Sequence, residues 1–416
     1  MAALRYGIVG GGFVAGFHIR ALDSVRRVEV AGLTSRTPPL HLAELVQRMG
    51  LGEGVVYGSV EELTSNVDVV LLLGPNFARV ANMEAVARAV DGGATLRAIG
   101  CEKPLARNLG EARKLVALAA EAGAPTVFFE NQLHLPVVKA SRVQLAAIAE
   151  AMGPPVLARA SEEHSGPHSA WFWDPVLQGG GVLSDMGCHS MALGRHVLTP
   201  HGRPVDHLVV ESVSADVALL KWGQPRWRQE LLRRHGVDYA KTPAEDFATG
   251  VITYRDPDND RRSKAQFTVS WMYDMQGLRL SVDGLGPGYG FAVNSLRSPL
   301  EVFVGDAAAA GVSDAELALE KSTASRGLMA VNPNEPDAYG YVDEHRDLVA
   351  ALEEGRPPLL DWSYGLGVVQ LTMAAYLSAE RGAVVDMTDP GTVAELETYV
   401  PLIQQGRGAE VLPVPG

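Results

Sequence analysis

The chain has 416 residues, 47% of them apolar and 20% charged, with a formal net charge of -13. That apolar content is enough for two substantial cores, and the acidic balance argues against the basic face of a nucleic-acid binder, with Arg226–Arg228 and Arg233–Arg234 read as solvated surface. Two cysteines, Cys101 and Cys188, make no disulfide framework, and no apolar run reaches membrane-spanning length, so a cytoplasmic chain without a membrane partner is expected.

In chain order the first elements are a strand over Leu4–Val9 and a helix over Phe13–Leu22, joined by Gly10-Gly11-Gly12. A strand feeding a glycine turn and a helix is built to receive a dinucleotide diphosphate. Gly10 permits the tight turn, Gly12 lets the pyrophosphate approach the backbone, and Ala15 keeps the helix close to its sheet. The amides of Phe13 and Val14 then face the phosphates from the helix N-terminus. With its first strand expected within about four residues of the start, no secretion signal is expected.

Strands predicted at Val28–Leu33, Val55–Tyr57, Val67–Leu73, Thr95–Gly100 and Thr126–Glu130 alternate with helices at Leu40–Met49, Ser59–Leu63, Ala78–Val90 and Leu109–Ala122. Uninterrupted apolar runs such as Val69–Leu73 suit strands covered on both faces. Residues 1–130 are thus expected to form a doubly wound Rossmann domain. Its second strand ends in Thr34-Ser35-Arg36, with no carboxylate to hold a ribose 2′-hydroxyl. Ser35 and Arg36 lean the cofactor towards NADP, while Arg36 stacked on adenine would leave NAD equally well bound.

From about residue 131 the rhythm changes. Helices are expected at Val138–Glu150, Leu183–Leu198, Val342–Glu354 and Ser363–Ser378. Strands are expected at Val156–Ala160, Val205–Leu220, Phe247–Tyr254, Lys264–Tyr273, Leu278–Val282 and Glu301–Phe303. This reads as an α+β domain over 131–380 with an open, mainly antiparallel sheet, followed by a C-terminal extension over 381–416 that ends in a loose tail from Gln404. Residues 222–245 read as a charged insertion, and Asp256–Asp260 as turn chemistry, since the spacing of a calcium loop is missing. An uncovered apolar sheet face would favour a homodimer or homotetramer.

Three local signals carry chemistry. Pro75-Asn76 follows the fourth strand, where Asn76 either caps a helix or touches the cofactor. Glu102-Lys103-Pro104 follows the fifth strand, where Lys103 can reach a nicotinamide and a substrate hydroxyl and Glu102 pairs with it or braces the loop. The third is the run from Gly179 to His189, in which Asp185 and His189 stand four apart and share a face if the segment is α-helical. That pair is either a proton-transfer unit or a local helix contact. Nearby, His164, His168, Trp171, Trp173 and Asp174 form a polar and aromatic stretch that either lines a sugar-binding mouth or is pinned by buried tryptophans. A zinc site from His164 and His168 with Asp185, Cys188 or His189 lacks compact ligand spacing, so no metal is expected. Asp343-Glu344-His345 either returns towards the site or forms a solvated helical face.

Together these pieces resemble the Gfo/Idh/MocA oxidoreductases, the family of glucose-fructose oxidoreductase and inositol dehydrogenase. The matching stretches are Gly7–Ala15 with His18, Pro75-Asn76, Glu102-Lys103-Pro104 and the glycine-rich run ending at His189. The resemblance implies a catalytic set of Lys103, Asp185 and His189. His189 takes a hydroxyl proton as hydride passes to nicotinamide C4, cationic Lys103 steadies the developing alkoxide, and Asp185 orients His189 or binds a hydroxyl. The implied cofactor is NAD or NADP, contacted by Gly10, Gly12, Phe13, Val14, Ser35, Arg36, Pro75, Asn76, Glu102 and Lys103. The implied substrate is a sugar, sugar derivative or cyclitol. Two departures stand out. Ala192 occupies a position where the family often has Asp, and Arg79 and Val80 occupy the neighbourhood of its usual His. Two further functions share these residues: a redox-neutral glycoside hydrolase acting through transient C3 oxidation, and a non-catalytic dinucleotide-binding regulator.

Overall fold

The computed structural model describes residues 3–274, 278–294, 300–304, 327–331 and 334–413. The chain divides into two compact units, one of residues 1–136 with 336–369 and one of residues 137–335 with 370–416.

In the first unit, β1 (Leu4–Val9), β2 (Val28–Thr34), β3 (Val55–Val56), β4 (Val69–Leu72), β5 (Ala98–Glu102) and β6 (Thr126–Phe129) form one sheet in the order β3-β2-β1-β4-β5-β6. Every pairing is parallel. The intervening helices are α1 (Phe13–Leu22), α2 (Leu40–Met49), α3 (Val60–Thr64), α4 (Arg79–Asp91) and α5 (Leu109–Ala122). All four residues of β4 are buried, as strands covered on both faces should be. The ends of α5 follow local chemistry: the Asn108 side chain accepts from Glu111 N–H, and Gly123 closes the helix in the left-handed region. Strand order reverses between β1 and β4, which places a ligand crevice beyond their carboxyl ends.

The Tyr341–Glu354 helix counts with this first unit, although the sequence analysis grouped it with residues 131–380. Its apolar spacing predicts a helix without saying which core it joins. Phe17 and Tyr341 meet at 5.4 Å between ring centroids, and the Trp362 indole donates to Val127 O at 3.0 Å.

The second unit contains α6 (Pro136–Met152, counted from Val137), β7 (Leu157–Glu163), α7 (Cys188–Leu198), β8 (Val209–Ala218), α8 (Pro225–His235), β9 (Phe247–Arg255), β10 (Arg262–Ser270), β11 (Arg279–Gly286) and β12 (Tyr289–Asn294). Further along are β13 (Leu300–Val304), β14 (Gly327–Val331) and β15 (Val385–Asp386). The main sheet runs β12-β11-β7-β10-β9-β8-β15, while β13 and β14 pair separately. Only β7 with β10 is parallel in the main sheet. Burial alternates along β10, with Ala265, Phe267 and Val269 inward and α7 packed on that face.

The opposite face is polar, in contrast to the apolar face expected. Arg159 meets Asp283 at 2.9 Å, Ser161 meets Ser281 at 2.7 Å and Thr249 meets Thr268 at 3.0 Å across neighbouring strands. The charged insertion is folded too, with Leu231 and Tyr239 fully buried. The C-terminal segment is packed rather than loose. Ile403 and Leu412 are fully buried, and a Cβ on Gly408 would collide with Pro243 O, so its glycines make room for close packing. Residues 414–416 lie outside the described residues. No helix among the described residues is long and apolar enough to cross a membrane.

Candidate functional site

The first unit builds a cradle from its glycine turn. Gly10 has φ +140°, donates its N–H to Thr34 O at 2.9 Å, and has the Leu73 main chain 2.8 Å from where a Cβ would stand. Only glycine fits there. Gly12 differs, because a Cβ there would meet nothing within 4 Å. As N-cap of α1 it also offers no side-chain acceptor to the first helical amides. An open surface over Phe13 and Val14 at a helix N-terminus fits a pyrophosphate. Phe13 is 40% exposed, Ser35 lies beside Gly11 and Arg36 is exposed. Pro75 precedes the short 3-10 turn Asn76–Ala78, in which Asn76 is buried.

Lys103 leaves the end of β5, half-buried and joined to Pro104 by a cis peptide bond. Its main chain is held from both sides. The N–H donates to Glu102 Oε2 at 2.9 Å, and the carbonyl accepts from Arg79 Nη2 at 3.0 Å. Glu102 is buried, and its Oε1 lies 3.0 Å from His18 Nε2. Behind it, His18 Nδ1 lies 2.8 Å from His345 Nε2. Glu344 and His345 are therefore a buried cluster and not a solvated face. Burial, then the Glu102 and Glu130 charges, pushes the Glu344 carboxyl well up, while burial and the neighbouring His18 and His134 hold His345 well down.

Two groups among the described residues bring three ligand-type atoms together, His18 with Glu344 and His345, and His207 with Asp256 and Asp258. The 2.8 Å between the His18 and His345 nitrogens is a hydrogen bond. Two nitrogens on one tetrahedral zinc, each bonded at about 2.0–2.1 Å, would stand about 3.3 Å apart. The second group is a turn, in which the Asp256 carboxylate accepts from Asp258 N–H at 3.0 Å.

In the second unit, Asp185 lies in a π-helical turn, Leu183–Gly187, which runs into α7. The wider turn changes the register assumed for an i, i+4 pair on one α-helix. Asp185 Oδ2 accepts from Trp271 Nε1 at 3.2 Å and lies 3.7 Å from His164 Nε2. His189, on α7, has its Nε2 4.0 Å from Glu162 Oε2. All of Glu162, His164, Asp185 and His189 are buried.

The turn itself hangs on Glu245 and Tyr376. The Glu245 carboxylate accepts from Gly181 N–H at 2.9 Å, Leu183 N–H at 3.0 Å and Tyr376 O–H at 2.6 Å. Gly180, at φ +145°, has no room for a Cβ against the Tyr376 hydroxyl. Burial raises the Glu245 carboxyl from an ordinary 4.5 to about 7 against these hydrogen bonds, which pull it down.

Among the substrate-side candidates the structure separates two groups. His168 is exposed, and Trp171 is half-buried and stacked on Phe172 at 3.8 Å. Trp173, by contrast, is 1% exposed, donates to Pro167 O, and is flanked by Trp222 at 4.6 Å and Trp271 at 5.0 Å. It is a packed anchor with no free face for a sugar. Asp174 caps the following short helix, accepting from Val176 N–H at 2.9 Å. His164 Nδ1 accepts from Gly166 N–H, which leaves that nitrogen no ligand role.

Sequence reasoning missed Glu245, Trp271 and Tyr376, and it placed Glu162 at the edge of the polar and aromatic stretch without making it a candidate. Glu162 had a signal: it shares the inward face of β7 with Ala158 and Ala160, and a carboxylate at a core-facing strand position needs a partner. The others reach the site from distant sequence with no local pattern.

Comparison with known proteins places these features in company. Residues 4–130 match the family profile described as "Oxidoreductase family, NAD-binding Rossmann fold", and residues 143–285 match the GFO/IDH/MocA C-terminal domain. A 1,5-anhydro-D-fructose reductase of Ensifer adhaerens is 30% identical over 47% of this chain and 56% of its own length. An uncharacterised Saccharomyces cerevisiae protein, YMR315W, is 30% identical over 46% of this chain and 55% of its own. The matched region thus spans about half the length of these curated relatives. Among solved structures, GenD2 from gentamicin A biosynthesis, in complex with NAD, is 26% identical with a TM-score of 0.72 over 93% of this chain and 97% of that one. A putative myo-inositol dehydrogenase from Sinorhizobium meliloti shares the fold, at 19% identity with a TM-score of 0.65 over 92% of this chain and 100% of that one.

Proposed function

The chain belongs to the GFO/IDH/MocA oxidoreductase family, with an NAD-binding Rossmann domain, and on that premise we propose that it transfers hydride between nicotinamide C4 and a secondary carbinol of a sugar, sugar derivative or cyclitol. The observation that carries the proposal is Lys103, presented at the carboxyl end of β5 with its peptide fixed by Glu102 and Arg79. A nicotinamide, when bound, supplies the hydride acceptor or donor. The chain's residues then handle the proton and the charge. Lys103 as an ammonium donates to the reacting oxygen, and His189 Nε2 takes the hydroxyl proton in the oxidative direction. Glu162 Oε2, 4.0 Å from that same Nε2, is near enough to balance the imidazolium, and Asp185, steered by Trp271, receives a neighbouring hydroxyl. The reductase and inositol dehydrogenase names among the similar proteins support a polyol or its ketone as substrate class.

Ser35 and Arg36 favour NADP in this proposal, which also keeps a cytoplasmic setting and a homodimer or homotetramer, the latter through a surface other than the polar sheet face. Light scattering reads the assembly, and a monomer at micromolar concentration rejects that part alone. The function is tested by absorbance at 340 nm with both cofactors and a panel of polyols and keto-sugars. Wild type turns over at least one of them. At saturating cofactor, which allows for the contact of Lys103 with the nicotinamide, the K103M and H189N variants lose about 10²–10⁴-fold in kcat. Full activity in either variant refutes its assigned role.

A further inference from the structure

The Lys103 peptide is held by groups that the reaction itself does not need, and these lead inward to α1 and the Tyr341–Glu354 helix. We propose that His18 and His345 are positioning residues for Lys103, through a buried hydrogen-bonded chain that runs His345–His18–Glu102 and ends on the Lys103 N–H. The inference rests on the reading of Lys103 as the group that meets the reacting oxygen.

Each link is short and dry. His345 Nε2 to His18 Nδ1 is 2.8 Å, His18 Nε2 to Glu102 Oε1 is 3.0 Å, and Lys103 N–H to Glu102 Oε2 is 2.9 Å. His18 and His345 are fully buried and Glu102 is 4% exposed, so water does not compete for these bonds. The rings are fixed in orientation as well. His18 lies edge-on to Tyr341 at 5.2 Å and to His345 at 5.0 Å, and Phe129 packs against both imidazoles.

Donor and acceptor logic gives the chain a direction. Burial raises the Glu102 carboxyl, while the His18 hydrogen bond and then the Lys103 and Arg79 charges lower it, leaving a carboxylate that only accepts. His18 Nε2 therefore carries a proton and donates to Glu102. His345 Nε2–H donates in turn to His18 Nδ1, which leaves His345 Nδ1 as a bare lone pair. That nitrogen has no hydrogen-bond partner among the described residues. The opposite direction would strand a buried N–H donor there, the costlier orphan. Glu102 is thus locked with one oxygen on His18 and the other on the Lys103 peptide. Arg79 fixes the carbonyl of that same residue. With both peptide groups of Lys103 tied, its side chain leaves the strand end along a set path, which is how a positioning shell supports a reacting group.

Hydrogen exchange read by mass spectrometry tests the chain without needing a known substrate. In H345L the Lys103 amide should exchange at least tenfold faster, while the amides of β1 stay unchanged. H345Q, whose amide reaches the Nε2 position, should restore protection. H345N, polar but too short to reach His18, should behave as H345L does and serves if the leucine variant does not fold. Unchanged exchange at Lys103 in both H345L and H345N overturns the proposal. So does equal acceleration in β1, which would show general loosening of the unit. The K103A variant keeps the two claims apart. K103A turning over polyols as fast as wild type would remove Lys103 from the chemistry and leave the exchange result standing.

Discussion

Glu245 is the buried acid whose ionisation has the most measurable consequence. It ties Gly181, Leu183 and Tyr376 together beneath the turn that bears Asp185. Its carboxyl is raised by burial from 4.5 to about 7. In the unfolded chain it ionises near 4.5, whereas in the folded chain it stays protonated until about pH 7. Its contribution to stability is thus fully present below pH 4.5, falls as pH rises towards 7, and is flat above that. Moving an acid that far is worth about 3 kcal/mol at 1.36 kcal/mol per pH unit. Glu245→Gln keeps a carbonyl for Gly181, Leu183 and Tyr376 but cannot ionise. Urea unfolding of both proteins from pH 4.5 to 8 isolates the term, since every other titrating group is common to them. The wild-type free energy of unfolding, taken relative to the variant, should fall by about 3 kcal/mol across that range. A difference that stays constant, or grows with pH, would refute the reasoning.

Three other outcomes follow from the same geometry. Gly12→Ala should leave the stability of the unliganded protein within about 0.5 kcal/mol, because its Cβ meets nothing. It should nevertheless weaken cofactor binding tenfold or more by filling the phosphate approach, and an unchanged Kd in a fluorescence titration would count against the cradle. Trp271→Phe removes the indole N–H from Asp185 and should lower kcat/KM about tenfold, about 1.4 kcal/mol, with cofactor Kd unaffected. Unaltered kcat/KM would take Asp185 out of the substrate contacts. Arg36→Ala should raise KM for NADPH about tenfold relative to NADH, and an unaltered ratio would remove Arg36 from cofactor choice.

The Rossmann unit was legible because its signals are local. The span of α1 is the one read from its apolar spacing, and the uninterrupted apolar run of β4 suits a strand covered on both faces, while β5 begins three residues later than its expected span. The glycine turn and Lys103 were found for the same reason, as each sits at the end of a strand whose position the pattern reveals. What escaped was set by tertiary contact. Nothing in Tyr341–Glu354 says that His345 will meet a histidine 327 residues earlier in the chain. The tryptophans at 171 and 173 look alike in sequence, yet one is half-buried and the other sealed between Trp222 and Trp271. The i, i+4 spacing of Asp185 and His189 assumed an α-helix, and the π turn there is invisible to periodicity over so short a span. The alternation of β10 carries polar residues on the open sheet face, against the apolar face expected, and only cross-strand register shows that they pair.

The central claim, that Lys103 supports hydride exchange between nicotinamide C4 and a carbinol carbon, is tested most directly by isotope transfer. Wild type and K103M would each be incubated with C4-deuterated NADH or NADPH and a panel of ketones including 1,5-anhydro-D-fructose and a keto-inositol, and the products read by mass spectrometry and NMR. The account predicts one deuterium on the new carbinol carbon with wild type and almost none with K103M. Absence of deuterium from every product of the wild-type protein while cofactor is bound, or equal transfer by K103M, would contradict it.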